Sequence, residues 1–153
     1  MRQSIVSNVI AIIILFVSLI VLPSYFIGII NWRSDMNTCQ TAARNFVDMV
    51  IDNGKISDKA LTDLNLSIAS CSGDFVYEYY REEKVVNPDP DHAGQYIVTY
   101  AHVDVDKDTE WRTGDIVTIV VTQKSMNLFQ RLSNTLMGAS YNNIEIRLAG
   151  MVR

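Results

Sequence analysis

The sequence is poor in the residues that most enzyme chemistry needs. Its 153 residues include two histidines, two cysteines, three prolines and seven glycines. His92 falls in a turn-like stretch and His102 in a strand-like one. No G-x-S-x-G, H-E-x-x-H, C-x-x-C or glycine-rich phosphate loop occurs. His102 shares a strand face with Asp104, but no third group converges on that pair. Hydrolytic chemistry is therefore the least supported class, and the chain is read as a non-enzyme. Repeats and low-complexity linkers are also lacking. Charge is missing from one end: the 30 residues from Gln3 to Trp32 carry none, and the first glutamate is Glu78.

What fills that charge-free end is the run VIAIIILFVSLIVLPSYFIGII. A helix crossing a bilayer core needs about 20 apolar residues, whereas a secretory leader's apolar region has about 7–15. The run is too long for the second, and no A-x-A-like cleavage site follows it. Residues 1–33 are therefore read as an uncleaved transmembrane anchor and 34–153 as the attached domain. A cleaved leader and a wholly buried helix are the alternatives. Pro23 removes one backbone bond and kinks a helix, although membrane helices tolerate proline. Ser7, Asn8, Ala11, Ser18 and Gly28 are the candidate helix-packing contacts, because close approach between membrane helices favours small and hydrogen-bonding residues.

Positive charge does not orient the anchor. Arg2 and the terminal amine stand on one side, Arg33 and Arg44 on the other. The cysteines do more. Cys39 and Cys71 both follow the anchor, and a disulfide between them would close a loop of about 33 residues, worth on the order of 3–4 kcal/mol. The plainer alternative is two unpaired buried thiols. A bridge would place the N-terminus in the cytoplasm and the domain on the outer side of the cell membrane, where disulfides persist. Without Arg2 and Arg33, 11 basic residues face 17 acidic ones, a net charge of −6. That sign disfavours nucleic acid as a partner.

Beyond the anchor the apolar period is helical. Cys39, Ala43, Phe46 and Val50, widened by Ala42, Val47 and Ile51, predict one face of a helix that Gly54 ends. This helix could continue almost unbroken from the anchor. Ser57 and Asp58 open a second helix with Leu61, Leu64 and Ile68 on its face. From Asp74 the period becomes two. FVYEYYREEKVV, QYIVTYAHVDV and IVTIVVTQ predict three strands, with NPDPDHAG as a turn in which Pro88 and Pro90 forbid ladder bonds. A further helix follows, with Ser125 as its cap, Leu128, Phe129, Leu132 and Leu136 on its face and Gly138 at its end. IEIRLAGMV is a last strand with Ile144, Ile146 and Leu148 inward. The expected fold is α+β: an N-terminal transmembrane helix, two helices, and a mainly antiparallel sheet of about four strands with one more helix before the last.

Two clusters invite functional readings. Asp104, Asp106, Asp108 and Glu110 alternate, and Asp115 follows, a spacing that resembles a calcium loop's oxygen ligands. Thr109 replaces the glycine of such a loop and Asp115 its bidentate glutamate, so a solvated hairpin loop is the plainer reading and no cofactor is required. Tyr77, Tyr79, Tyr80, Tyr96 and Tyr100 cluster on adjacent strands. Such tyrosines pack sheets, and they also anchor interfaces. NLS at Asn65 matches a glycosylation acceptor but lies within an expected helix.

The layout as a whole resembles a known family. The apolar helix leading into ARNFVDMVIDNGKISDKALTDL, the tyrosine-rich strands, and the ending GDIVTIVVTQKSMNLFQRLSNTLMG…IEIRLAGMV are similar to type IV pilin-like proteins of Firmicutes, in particular the minor TadE-like pseudopilins of tight-adherence (Tad) systems. The resemblance implies a structural subunit of a type IV pilus or secretion assembly at the cell surface. Its partners would be other pilin-like subunits in a homo- or hetero-oligomer, an assembly platform in the membrane, and lipid. Its assembly would be driven by a separate cytoplasmic ATPase. Pilins usually carry a charged leader and a glutamate early in the mature helix. Here the apolar run begins almost at Met1 and no early glutamate occurs, so the leader is expected to be absent or already removed. A membrane-tethered accessory or ligand-sensing domain is the competing class; it would need a concave apolar pocket, which no sequence cluster marks.

Overall fold

The computed structural model describes residues 2–92, 94–103, 105 and 110–153. Its first feature is a single helical rod from Arg2 to Asn53. The rod consists of α1 (Arg2–Phe16), one π-helical turn (Val17–Val21) and α2 (Leu22–Asn53). In that turn the N–H of Leu22 donates to the carbonyl of Val17, one residue further back than in an α-helix. The turn lies immediately before Pro23, which has no N–H and whose ring crowds the carbonyl four residues behind it. Widening the helix by one residue relieves that conflict. Gly54 ends the rod in the left-handed conformation, with its N–H on the carbonyl of Val50.

α3 (Asp58–Ala69) folds back on α2, opened by Ser57, whose side chain accepts the N–H of Ala60. Four strands follow: β1 (Phe75–Pro88), β2 (Tyr96–Val103), β3 (Ile116–Gln123) and, after α4 (Leu128–Met137), β4 (Glu145–Met151). The sheet order is β2-β1-β3-β4, with every pair antiparallel. This is the α+β arrangement that the three changes of period predict, in the same element order.

Two boundaries differ from expectation. β1 runs through Pro88, whose partner is Tyr96. A proline is tolerated at the end of an edge ladder, where its absent N–H removes no needed bond. The cap of α4 is Asn127 rather than Ser125. The Asn127 side chain accepts the N–H of Gln130, and the Gln130 side chain accepts the N–H of Asn127. This reciprocal box satisfies two donors at once, which a lone serine two residues earlier would not do.

The core lies between α2, α3 and one face of β1, β3 and β4. Cys39, Ala43, Phe46 and Val50 of α2 are buried against Leu64 and Ile68 of α3 and against Val117, Ile119 and Val121 of β3. Gly150 lets β4 reach the rod: a Cβ there would stand 2.5 Å from Ile51 and 2.7 Å from Val47.

The strand β1 is shared unequally. Phe75 to Glu82 pair with β3, whereas Arg81 to Pro88 pair with β2. Only Arg81 and Glu82 belong to both ladders. The distal half of β1 and all of β2 therefore form a two-stranded hairpin that projects past the packed sheet.

Candidate functional site

The candidate surfaces are three: the free end of the rod, the projecting hairpin, and the place where α4 meets the rod. The sequence-derived helix-packing residues fall on the first of them or, at Gly28, on the third, Asp115 lies at the root of the second, and Cys39 and Cys71 lie apart from all three, between α2 and the end of α3.

The rod is long and apolar enough to cross a membrane, and from Ile5 to Ile20 every residue is exposed. Ser7, Asn8, Ala11, Ser18 and Pro23 all lie on its exposed surface. Gly28 is different. A Cβ at Gly28 would come within 2.7 Å of the Phe129 Cβ, so this glycine admits α4 of its own chain.

α4 packs on the rod through a group of aromatic rings. Phe129 lies 5.2 Å from Tyr25, 6.0 Å from Trp32 and 5.1 Å from Tyr141, centroid to centroid. Ser133 donates from its hydroxyl to that of Tyr25 at 3.3 Å. On its inner side, buried Gln130 exchanges amide hydrogen bonds with Gln123 at 3.0 and 3.2 Å and donates to the Asn142 carbonyl. These bonds satisfy the buried amides and tie α4 to the end of β3. No local sequence signal marks this contact, because Tyr25 and Ser133 are 108 positions apart.

Across β1 and β2 the tyrosine cluster divides. Tyr77 and Tyr79 stack at 6.3 Å and pack on the core beside Phe46. Tyr80 faces the other way, against His102 and within hydrogen-bonding reach of Arg147. Tyr96 and Tyr100 are exposed, together with Val86, Ile97 and Val98. A two-stranded ribbon with apolar side chains open on both faces is marginal in water by itself. The outer edge of β2 pairs with no other strand among the described residues.

Where the hairpin leaves the sheet, Arg81 and Asp115 form a buried ion pair with N–O at 2.6 Å, their side chains 6 % and 1 % exposed. Asp115 also accepts the N–H groups of Arg112 at 2.7 Å and Lys84 at 3.2 Å, and the Arg81 guanidinium lies over the Trp111 ring. This carboxylate, considered from sequence as a calcium ligand, is occupied by the arginine and two backbone donors. Glu110 is exposed. Asp104, Asp106 and Asp108 lie outside the described residues, and no metal-competent cluster occurs among the described ones. The sequence offered one hint of the ion pair: Arg81 continues the inward alternation of Phe75, Tyr77 and Tyr79.

Cys39 and Cys71 face each other across α2 and the end of α3 with their sulfurs 3.5 Å apart, as two free thiols rather than the expected disulfide. A bond would require them to close by about 1.5 Å. Burial, the neighbouring Cys71 and the Asp35 carboxylate push the Cys39 thiol up to about 12. Cys71 is also raised, by burial first, although its hydrogen bond with Cys39 acts in the opposite direction. Beside them, buried Asp35 accepts from the Ser72 N–H at 2.9 Å, the Ser72 hydroxyl at 2.7 Å and the Gly73 N–H at 3.1 Å. The chain after α3 is thus fixed to the rod.

No protein-family model, curated protein or solved structure matches the chain.

Proposed function

We propose that the protein is a membrane-anchored, non-enzymatic subunit of a pilin-like assembly, with the domain on the outer side of the membrane. One observation carries this reading: a bare apolar helix runs unbroken into the core of a small α+β domain. Such a rod joins anchor and domain without a hinge, so lateral packing of the membrane segments would fix how neighbouring domains meet. Ser7, Asn8, Ala11 and Ser18 remain the contacts for other membrane helices. The hairpin provides a second contact, with exposed Tyr96, Val98 and Tyr100 and an unpaired edge for a neighbouring subunit. The Cys39–Cys71 pair closes to a disulfide in an oxidising compartment, since the thiols already face each other.

Purification from its own membranes in mild detergent tests the reading. Co-recovery of pilin-like subunits or a membrane assembly platform supports it; a monodisperse chain without partners overturns it. Asn8→Leu should leave membrane insertion intact and reduce that co-recovery.

A further inference from the structure

Three measures of depth converge on α4. The first is length. From Ile5 the rod covers about 30 Å by Ser24 at 1.5 Å per residue, which is the thickness of a bilayer's hydrocarbon core. Tyr25 to Trp32 then occupy the next 12 Å or so, the interfacial layer on the domain's side. The second is composition. Tyr25, Trp32 and Tyr141 gather at that level, and amphipathic rings prefer the membrane–water boundary. The third is the other flank of the rod. Phe26, Ile27 and Ile30 are exposed there, so apolar surface continues past Ser24.

α4 lies along this same stretch. Phe129 touches Gly28 and Trp32, and Ser133, one turn later, reaches Tyr25. The helix therefore descends toward the membrane as it proceeds, and its last turn, with Leu136, is its deepest. Leu128, Leu132 and Leu136 recur every four residues and form a stripe beside the Phe129 contact. Leu128 is 61 % exposed and Leu136 69 %, although α4 buries Phe129, Gln130 and Ser133 completely or nearly so. Arg131 and Thr135 are exposed along the other border of the stripe, on the flank away from Phe129. An exposed leucine stripe bordered by polar residues on its free flank is the pattern of a helix lying in an interface.

We propose that α4 is a second membrane-contacting element, seated in the interfacial layer with its Leu128–Leu132–Leu136 stripe in lipid and its Phe129 side on the spanning helix. The occupant of the stripe is lipid rather than another protein, because the stripe lies at the same level along the rod as the exposed apolar Phe26, Ile27 and Ile30. Two contacts with the bilayer, one through it and one along it, then fix both the tilt and the rotation of the domain.

This inference rests on the anchor reading, and one experiment separates the two. The full chain is placed in phosphatidylcholine nanodiscs with ordinary or brominated acyl chains. Tryptophan is introduced singly as Ile13→Trp, Leu136→Trp and Val98→Trp, and the emission each variant adds over the parent is measured. Ile13→Trp reports the anchor and Val98→Trp the aqueous hairpin. The proposal expects the emission added at Leu136 to be lost in brominated lipid, as at Ile13, and protected from aqueous iodide, unlike that at Val98. Loss to iodide with no effect of bromine would overturn it, leaving α4 in water. Protection from both quenchers would overturn it too, since a protein surface would then cover the stripe. If the emission added at Ile13 survives brominated lipid, the anchor reading itself fails.

Discussion

The two ends of the rod are the same helix in different surroundings. From Cys39 to Val50 the buried residues recur at helical spacing, with polar Gln40, Arg44 and Asp48 on the open side. From Ile5 to Leu22 nearly every side chain is apolar and nearly every one is exposed. Periodicity therefore marks the half that packs on its own domain, and uniform apolarity marks the half that is exposed and long enough to cross a membrane. The domain half should be sensitive to a single truncation, and the exposed apolar half should not.

Phe46→Ala should cause the largest loss, about 3–5 kcal/mol of domain stability, read as a lower melting temperature in detergent. Ile13→Ala should leave that transition in place, and an equal effect of the two would erase the distinction. Asp115→Ala should cost about as much, roughly 3–5 kcal/mol, because it strands the buried Arg81 charge. Gly150→Ala should cost about 1–3 kcal/mol by overpacking β4 against Val47 and Ile51.

The thiols give a smaller, pH-dependent effect. Cys39 titrates at about 12 in the folded chain against an ordinary 9.0. The unfolded state thus loses its proton first, and stability under reducing conditions should be full below pH 9 and fall as pH rises toward 12. Cys39→Ala should remove most of that slope. Oxidation should remove it as well if the pair closes to a disulfide, and an unchanged slope after oxidation would show that it does not. The smallest effect on the fold should come from Val98→Ser, within about 0.5 kcal/mol, because the hairpin surface is exposed. Partner recovery should drop in the same variant; full recovery would remove the hairpin from the assembly surface.

Most of the fold was legible because its elements announce themselves locally. The change from a period of 3.6 to 2 at Asp74, the glycines after α2 and α4, and the β-branched run of β3 each act within a few residues of where they are written. The contacts that create the candidate site do not. Nothing near Tyr25 indicates that Phe129 will pack on Gly28. The acidic run before Asp115 suggests a ligand loop until Arg81 is found beside it. The tyrosines of β1 and β2 look like one cluster, yet Tyr77 and Tyr79 pack partly on the core, Tyr80 turns to the opposite face, and Tyr96 and Tyr100, beyond the shift in pairing at Arg81, stand exposed.

That shift also has a mechanical meaning. β1 is a beam clamped along half its length, between Phe75 and Glu82, and free along the rest. A neighbour pulling on the hairpin would bend it about Arg81, where the two ladders overlap and the Asp115 carboxylate is hydrogen-bonded on either side. The root of the lever and its strongest electrostatic fixing coincide, so load taken at Tyr96 is delivered to β3, and through β3 and β4 to the apolar rod.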